Sequence, residues 1–153
     1  MHSHEARIEW RRDGAAFIDG KYSRVHEWSF DGGAKIPASA SPAVVPAPWS
    51  AAEAVDPEEA LVAAAASCHM LWFLHLAARR KLVVERYADQ ASGILEKNAE
   101  GKFAITRITL RPEVVFSGDV APSAEELQSL HHAAHDACYI ANSLKSEVVV
   151  EPA

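Results

Sequence analysis

Basic charge, cysteine and long uninterrupted apolar sequence are all scarce in this 153-residue chain. Lysine and arginine number 15 against 21 acids, a formal net charge of -6. Its basic residues are mostly scattered, with small groups only at Arg11-Arg12 and Arg79-Arg80-Lys81. An acidic chain with no basic patch gains nothing from polyphosphate, so nucleic acid is excluded as an expected partner. The start, "MHSHEARIEW", lacks the charged, then apolar, then small-residue order of a secretory signal. The longest apolar run, Leu61 to Ala78, is interrupted by Ser67, His69 and His75. It reads as a core helix rather than a bilayer span of ~20 residues. These features predict a cytoplasmic protein with no membrane partner. With only two cysteines in a reducing compartment, chemistry or metal binding is a better expectation than a permanent disulfide.

What is plentiful is material for one core. The 49% hydrophobic content suits a single domain over residues 1–153. "EARIEWRRDGAAFIDGKYSRVHEWSFDGG" reads as short strands punctuated by Asp13-Gly14, Asp19-Gly20 and Asp31-Gly32-Gly33, pairs that suit tight hairpin turns. Tyr22, Arg24, His26 and Trp28 are then expected on one face of the third strand. Residues 34–54 hold four prolines and read as an extended loop.

Asp56-Pro57-Glu58-Glu59 is a helix start: Asp56 caps, Pro57 suits the first turn, and Glu59 lies three residues after the cap. The helix is expected to reach about Arg80 and, being apolar nearly all round, to be central and buried. "KLVVERYADQASGILEK" and "GKFAITRITLRPEVVFSG" read as two long strands joined at Asn98-Ala99-Glu100-Gly101. Ser123 caps a second helix with Glu126 three residues on; it carries Leu127, Leu130, Ala134 and Ala137 and ends near Cys138. "SEVVVEP" gives a final strand. The order predicts an α+β fold: N-terminal antiparallel strands, a long buried helix, two strands, a second helix and a last strand.

"AAAASCHMLWFLHL" places Cys68 and two histidines in fourteen residues with no formal acid or lysine. Three readings are open. A buried cysteine often only packs. His131, His135 and Cys138, at i, i+4 and i+7, share a helix face and could ligate metal, although no CxxC or HExxH motif accompanies them. A low-pKa thiol with a second cysteine to resolve its oxidised form would be redox-active. Chain position alone does not bring Cys68 and Cys138 together.

"DPEEALVAAAASCHMLWFL" resembles the central-helix signature of the OsmC/Ohr family, the osmotically inducible and organic-hydroperoxide-resistance proteins. That signature has an Asn- or Asp-Pro-Glu opening, an alanine-rich stretch and a cysteine ten residues after the glutamate, the spacing of Glu58 and Cys68. "AHDACYIANSLKSEVVVE" is similar to the family's second-cysteine segment. The resemblance covers essentially the whole chain. It implies a thiol-dependent peroxidase acting on organic hydroperoxides or hydrogen peroxide, as an intertwined homodimer with no bound cofactor. Cys68 matches the peroxidatic cysteine. Cys138 matches the resolving cysteine, whose disulfide with Cys68 is later reduced by a dithiol such as a lipoyl group. Glu58 matches the glutamate that orients an N-terminal arginine, for which Arg24 is the choice over Arg11 and Arg12. A redox-sensing or binding module of the same fold, and a His/Cys metal protein, are the alternatives.

Ten residues of straight helix separate Glu58 from Cys68 by about 15 Å. Glu58 is therefore expected to serve the second subunit's cysteine. Two departures stand out: Tyr139 follows the second cysteine where many members have proline, and His69 follows the first where phenylalanine is common. His69 and His26 are possible accessories to the thiol chemistry, although a helix histidine is more often simply hydrogen-bonded. His75 lies on the same helix face as Cys68, and Trp72 suits a core or an apolar pocket wall.

Overall fold

The computed structural model describes residues 1–118 and 121–152. Asp119, Val120 and Ala153, part of the expected single domain, lie outside the described residues. The chain is an α+β protein with two compact units, Met1–Ala60 and Leu61–Ala153.

In the first unit, β1 (Ala6–Glu9), β2 (His26–Phe30) and β3 (Lys35–Ala38) form an antiparallel sheet in that order. Trp28 pairs with Ile8 on one side and Ile36 on the other. The β2–β3 turn is Asp31-Gly32-Gly33, where Gly33 takes φ 87°, the left-handed backbone that glycine adopts without steric cost. Tyr22 and Arg24 are not on a strand, contrary to the sequence expectation. Residues 10–25 form a loop turned by Asp13-Gly14 and Gly20, all at positive φ. The turn residues were read correctly, but the segments between them have no strand neighbour. The proline-rich stretch is also less irregular than expected, because β3 occupies its start and Ala38 bridges Val55.

Helix α1 runs from Pro57 to Arg79. The Asp56 carboxylate accepts the Glu59 amide at 2.7 Å and Glu59 returns a bond to the Asp56 amide, the reciprocal cap read in the sequence. Within the 23 residues of α1 an 18-residue window has a mean hydropathy of 1.6, so by length and composition alone the helix is apolar enough to cross a membrane, a test that the core helix of a globular protein also passes. The histidines and serine lower its hydropathy less than its alanines and leucines raise it. Ala65, His69, Phe73 and Ala77, each one turn apart, form its buried stripe. Ala63, Ala64, Ser67, Leu71, His75 and Ala78 are exposed, so in a single chain the helix is covered on one side only.

Each of the two expected long strands is interrupted. They resolve into β4 (Val83–Asp89), β5 (Ser92–Lys97), β6 (Phe103–Leu110) and β7 (Pro112–Ser117). β4 pairs with β7, while β5, β6 and β8 (Glu147–Val150) form a second sheet in which β8 is parallel to β6. The break is chemical: Asp89 Oδ1 takes the Arg111 amide at 2.7 Å, and Pro112 has no amide to offer a ladder. Near it, Gly93 allows α1 to approach, since a Cβ there would lie 2.6 Å from Val62 Cγ2.

Helix α2 (Ala124–Ala137) starts with the Ser123–Glu126 capping box and ends at Cys138. A five-residue helix not read in the sequence, α3 (Tyr139–Ser143), follows at once, with Cys138 as its N-cap. Phe73 and Ala77 of α1 pack with Leu130 and Ala134 of α2, flanked by Val84, Tyr87, Val114 and Phe116. Ala65 packs with Ile108 and Leu110 of β6 in a second cluster that includes Ile140 and Val148.

Candidate functional site

Cys68 is half-buried on α1 and Cys138 is buried at the α2–α3 junction, 1% exposed. The fold makes these thiols neighbours, although seventy residues separate them in the chain. Burial pushes the Cys138 thiol pKa up; the Ala141 amide, donating to its sulfur at 3.4 Å, pulls it down, and hydrogen bonding with Cys68 raises it again. Both cysteines are free. Cys68 opens into a cavity of about 280 Å³, whose other walls are Leu71, Trp72, His75 and Tyr139. Trp72 thus does both things expected of it, packing against the Phe73 cluster and lining a pocket.

His69 turns the other way. It belongs to the buried stripe of α1, and its Nε2 lies 3.1 Å from His131 Nδ1, with the two rings parallel. Burial pulls both imidazoles down to about 4, so each is neutral at pH 7. His69 is therefore a hydrogen-bonded core residue and does not line the Cys68 cavity. His131 is 3% exposed, because α2 packs its ring against Phe73 with centroids 4.5 Å apart. His132 is exposed, 3.4 Å from Asp136. Among the described residues no group of three or more His, Cys, Asp or Glu side chains could hold a metal ion, so His131, His135 and Cys138 do not form the metal set considered from spacing.

Arg24 and Glu58 belong to the first unit. Arg24 lies 3.8 Å over the Tyr22 ring, and its Nη1 donates to the carbonyls of Gly20, at 2.7 Å, and Tyr22. Phe17 stacks on Tyr22 with centroids 4.6 Å apart, and Trp10 meets Tyr22 edge-on. These aromatic residues and Arg24 line a cavity of about 450 Å³. Arg11 is instead paired with Glu9 at 2.6 Å, and Arg12 donates to the Ala15 carbonyl. His26 accepts from Trp28 Nε1 at 2.9 Å through Nε2 and donates from Nδ1 to the Arg24 carbonyl at 2.7 Å, so both its nitrogens are engaged. Glu58 is partly exposed in the first turn of α1 and makes no ion pair with Arg24 among the described residues.

A long apolar helix, a second helix and two adjoining sheets, with one cysteine from each helix region brought together, define a two-cysteine α+β protein. The family model described as OsmC-like protein matches residues 50–153, and the chain belongs to that family. An OsmC-like protein of unknown function from Vibrio cholerae is 55% identical, with a TM-score of 0.98 and all of both chains covered. An organic hydroperoxide resistance protein from Elizabethkingia anophelis is 16% identical, with a TM-score of 0.72, covering 99% of this chain and 94% of its own. The organic hydroperoxide resistance protein OhrB of Bacillus subtilis is 18% identical, with a TM-score of 0.68, covering 99% and 98%. These two likenesses are of fold. No curated protein matches the chain.

Proposed function

We propose that this protein is a thiol-dependent peroxidase that reduces organic hydroperoxides. The reading is carried by the pairing of Cys68 and Cys138 beside an apolar cavity open to a small oxidant. The Cys68 thiolate attacks the outer peroxide oxygen, the O–O bond breaks, and the alkoxide leaves as the alcohol after taking a proton. Cys68 is now a sulfenic acid. Cys138, as thiolate, attacks its sulfur, forming the disulfide and expelling hydroxide, which becomes water. A dithiol of the lipoyl type returns both cysteines to thiols by exchange and is itself oxidised to its disulfide.

Arg24 is the cation that favours the thiolate, and Glu58 is the carboxylate that orients it. The Tyr22 ring and two carbonyls hold the Arg24 guanidinium by one edge and leave its other N–H groups to act on a partner. The working form is a homodimer in the cytoplasm, with the exposed side of α1 as a contact surface. Leu71 and His75 lie both on that side and in the cavity wall, so a second copy packed there adds a further wall to the cavity.

The test is thiol loss in the reduced protein on adding cumene hydroperoxide, for wild type and Cys68→Ser. Loss far faster than free cysteine in wild type, and none beyond background in the variant, supports the peroxidase. A wild-type rate no faster than free cysteine leaves only the sensing or binding module.

A further inference from the structure

We infer that the Trp72–Tyr139 corner makes the Cys68 cavity selective for hydroperoxides carrying a flat aryl group, with Tyr139 as the specificity-determining residue. This rests on the peroxidase reading and names the substrate class of that same site. Tyr139 occupies the first position of α3, immediately after its cap Cys138. That position asks nothing of a side chain and even favours proline, which needs no amide there. A tyrosine left 69% exposed adds little burial to the fold. Its ring instead stands at 90° to Trp72, centroids 5.5 Å apart, and forms one wall of the cavity.

His75 meets the same indole at 89° and 5.7 Å, so Trp72 has two rings upright against it. A right-angled aromatic corner suits a flat ring, which can lie on one face while meeting another edge-on. A branched alkyl group fills the same space without those contacts. Size permits it: an apolar cavity of about 150 Å³ takes benzene, and this one is about 280 Å³. Leu71, 60% exposed at the rim, adds apolar surface for the rest of the organic group. The reacting oxygen is then carried to the Cys68 sulfur in the same cavity.

The experiment separates binding from turnover. In full-length Cys68→Ser protein, calorimetric titration compares 2-phenyl-2-propanol with tert-butanol, the alcohols left by cumene and tert-butyl hydroperoxides. The aryl alcohol is expected to bind more tightly by about fivefold beyond what its larger apolar area gives in an octanol–water transfer. Adding Tyr139→Pro, which suits the helix start, removes that excess; adding Tyr139→Phe, which keeps the ring, preserves it. In protein with Cys68 intact, the ratio of thiol-loss rates for the two hydroperoxides follows the same order. Equal excess in the Tyr139→Pro and Tyr139→Phe proteins, or no excess in either, overturns the inference. Aryl selectivity that depends on Tyr139, together with no peroxide-driven thiol loss, upholds the pocket and sinks the peroxidase reading.

Discussion

His69 Nε2 and His131 Nδ1 meet at 3.1 Å between α1 and α2, both rings buried beside Phe73. Burial lowers both to about 4 from an ordinary 6.5, with His131 and His135 also disfavouring the charged form of His69. The unfolded chain therefore binds protons at these sites at a higher pH than the folded chain does. Stability is full above pH 6.5, falls as pH drops from 6.5 to about 4, and loses nothing more from this pair below that. The expected slope inside the window is about 2 kcal/mol per pH unit. Asp89, whose carboxyl burial raises, works in the opposite sense near the bottom of the window. Urea unfolding at pH 7.5, 6, 5 and 4.5 should show the decline, and His131→Leu should roughly halve its slope. An unchanged slope in the variant would remove the pair as the cause.

The two thiols should differ sharply toward an alkylating agent. Only thiolate reacts, and Cys138 is both buried and pushed up in pKa, whereas Cys68 lines an open cavity. With limiting iodoacetamide at pH 7.5, peptide mapping of the reduced protein should find Cys68 labelled at least about tenfold ahead of Cys138. In Cys138→Ser, cumene hydroperoxide should leave a Cys68 sulfenic acid that dimedone traps. In wild type the same treatment should lower the mass by two hydrogens as the disulfide forms. Preferential labelling of Cys138 would reverse the assigned order of attack.

The parts of this fold that the sequence discloses are those decided within a few residues. Both helix starts were readable because Asp56–Glu59 and Ser123–Glu126 satisfy their own amides locally. The strand breaks near Gln90 and Arg111 were not, because the bond that makes them joins Asp89 to an amide 22 residues away. The residues before β2 carry the right turn glycines, yet pairing depends on a neighbour that the segment does not have. Nothing local marks His131 as a core residue, and only the meeting of α1 with α2 buries it. Cys68 and Cys138 were linked by resemblance rather than by any local pattern. Tyr139 was visible as a departure, but its place in the cavity wall required α3, a helix too short to announce itself.

If Glu58 serves the second subunit's Cys68, defects in the two residues should complement. Glu58→Ala alone should slow peroxide-driven thiol loss by about 100-fold, since the cation over the thiolate is no longer held in place. Cys68→Ser alone should be inert. Co-expressed, half the dimers are mixed and each carries one intact site, so about a quarter of wild-type turnover should return. Sedimentation should place the protein as a dimer. Full activity in a monomer, or no recovery in the mixed preparation, would sink the cross-subunit role of Glu58.

Gly93 gives a test of packing whose sign depends on one side chain. Alanine in a strand normally helps, because glycine loses more backbone freedom on folding, a difference of about 0.4 to 1 kcal/mol. Here the added methyl would sit 2.6 Å from Val62 Cγ2 and 3.4 Å from Ile105 Cγ2, and overpacking costs about 1 to 3 kcal/mol. The clash should win, so Gly93→Ala is expected to destabilise by about 1 kcal/mol in urea unfolding. Val62→Ala removes the near methyl group while leaving α1 with a better helix former. In that background Gly93→Ala should become neutral or stabilising. A cost that persists in the double variant would mean that strand β5, rather than Val62, sets the requirement for glycine.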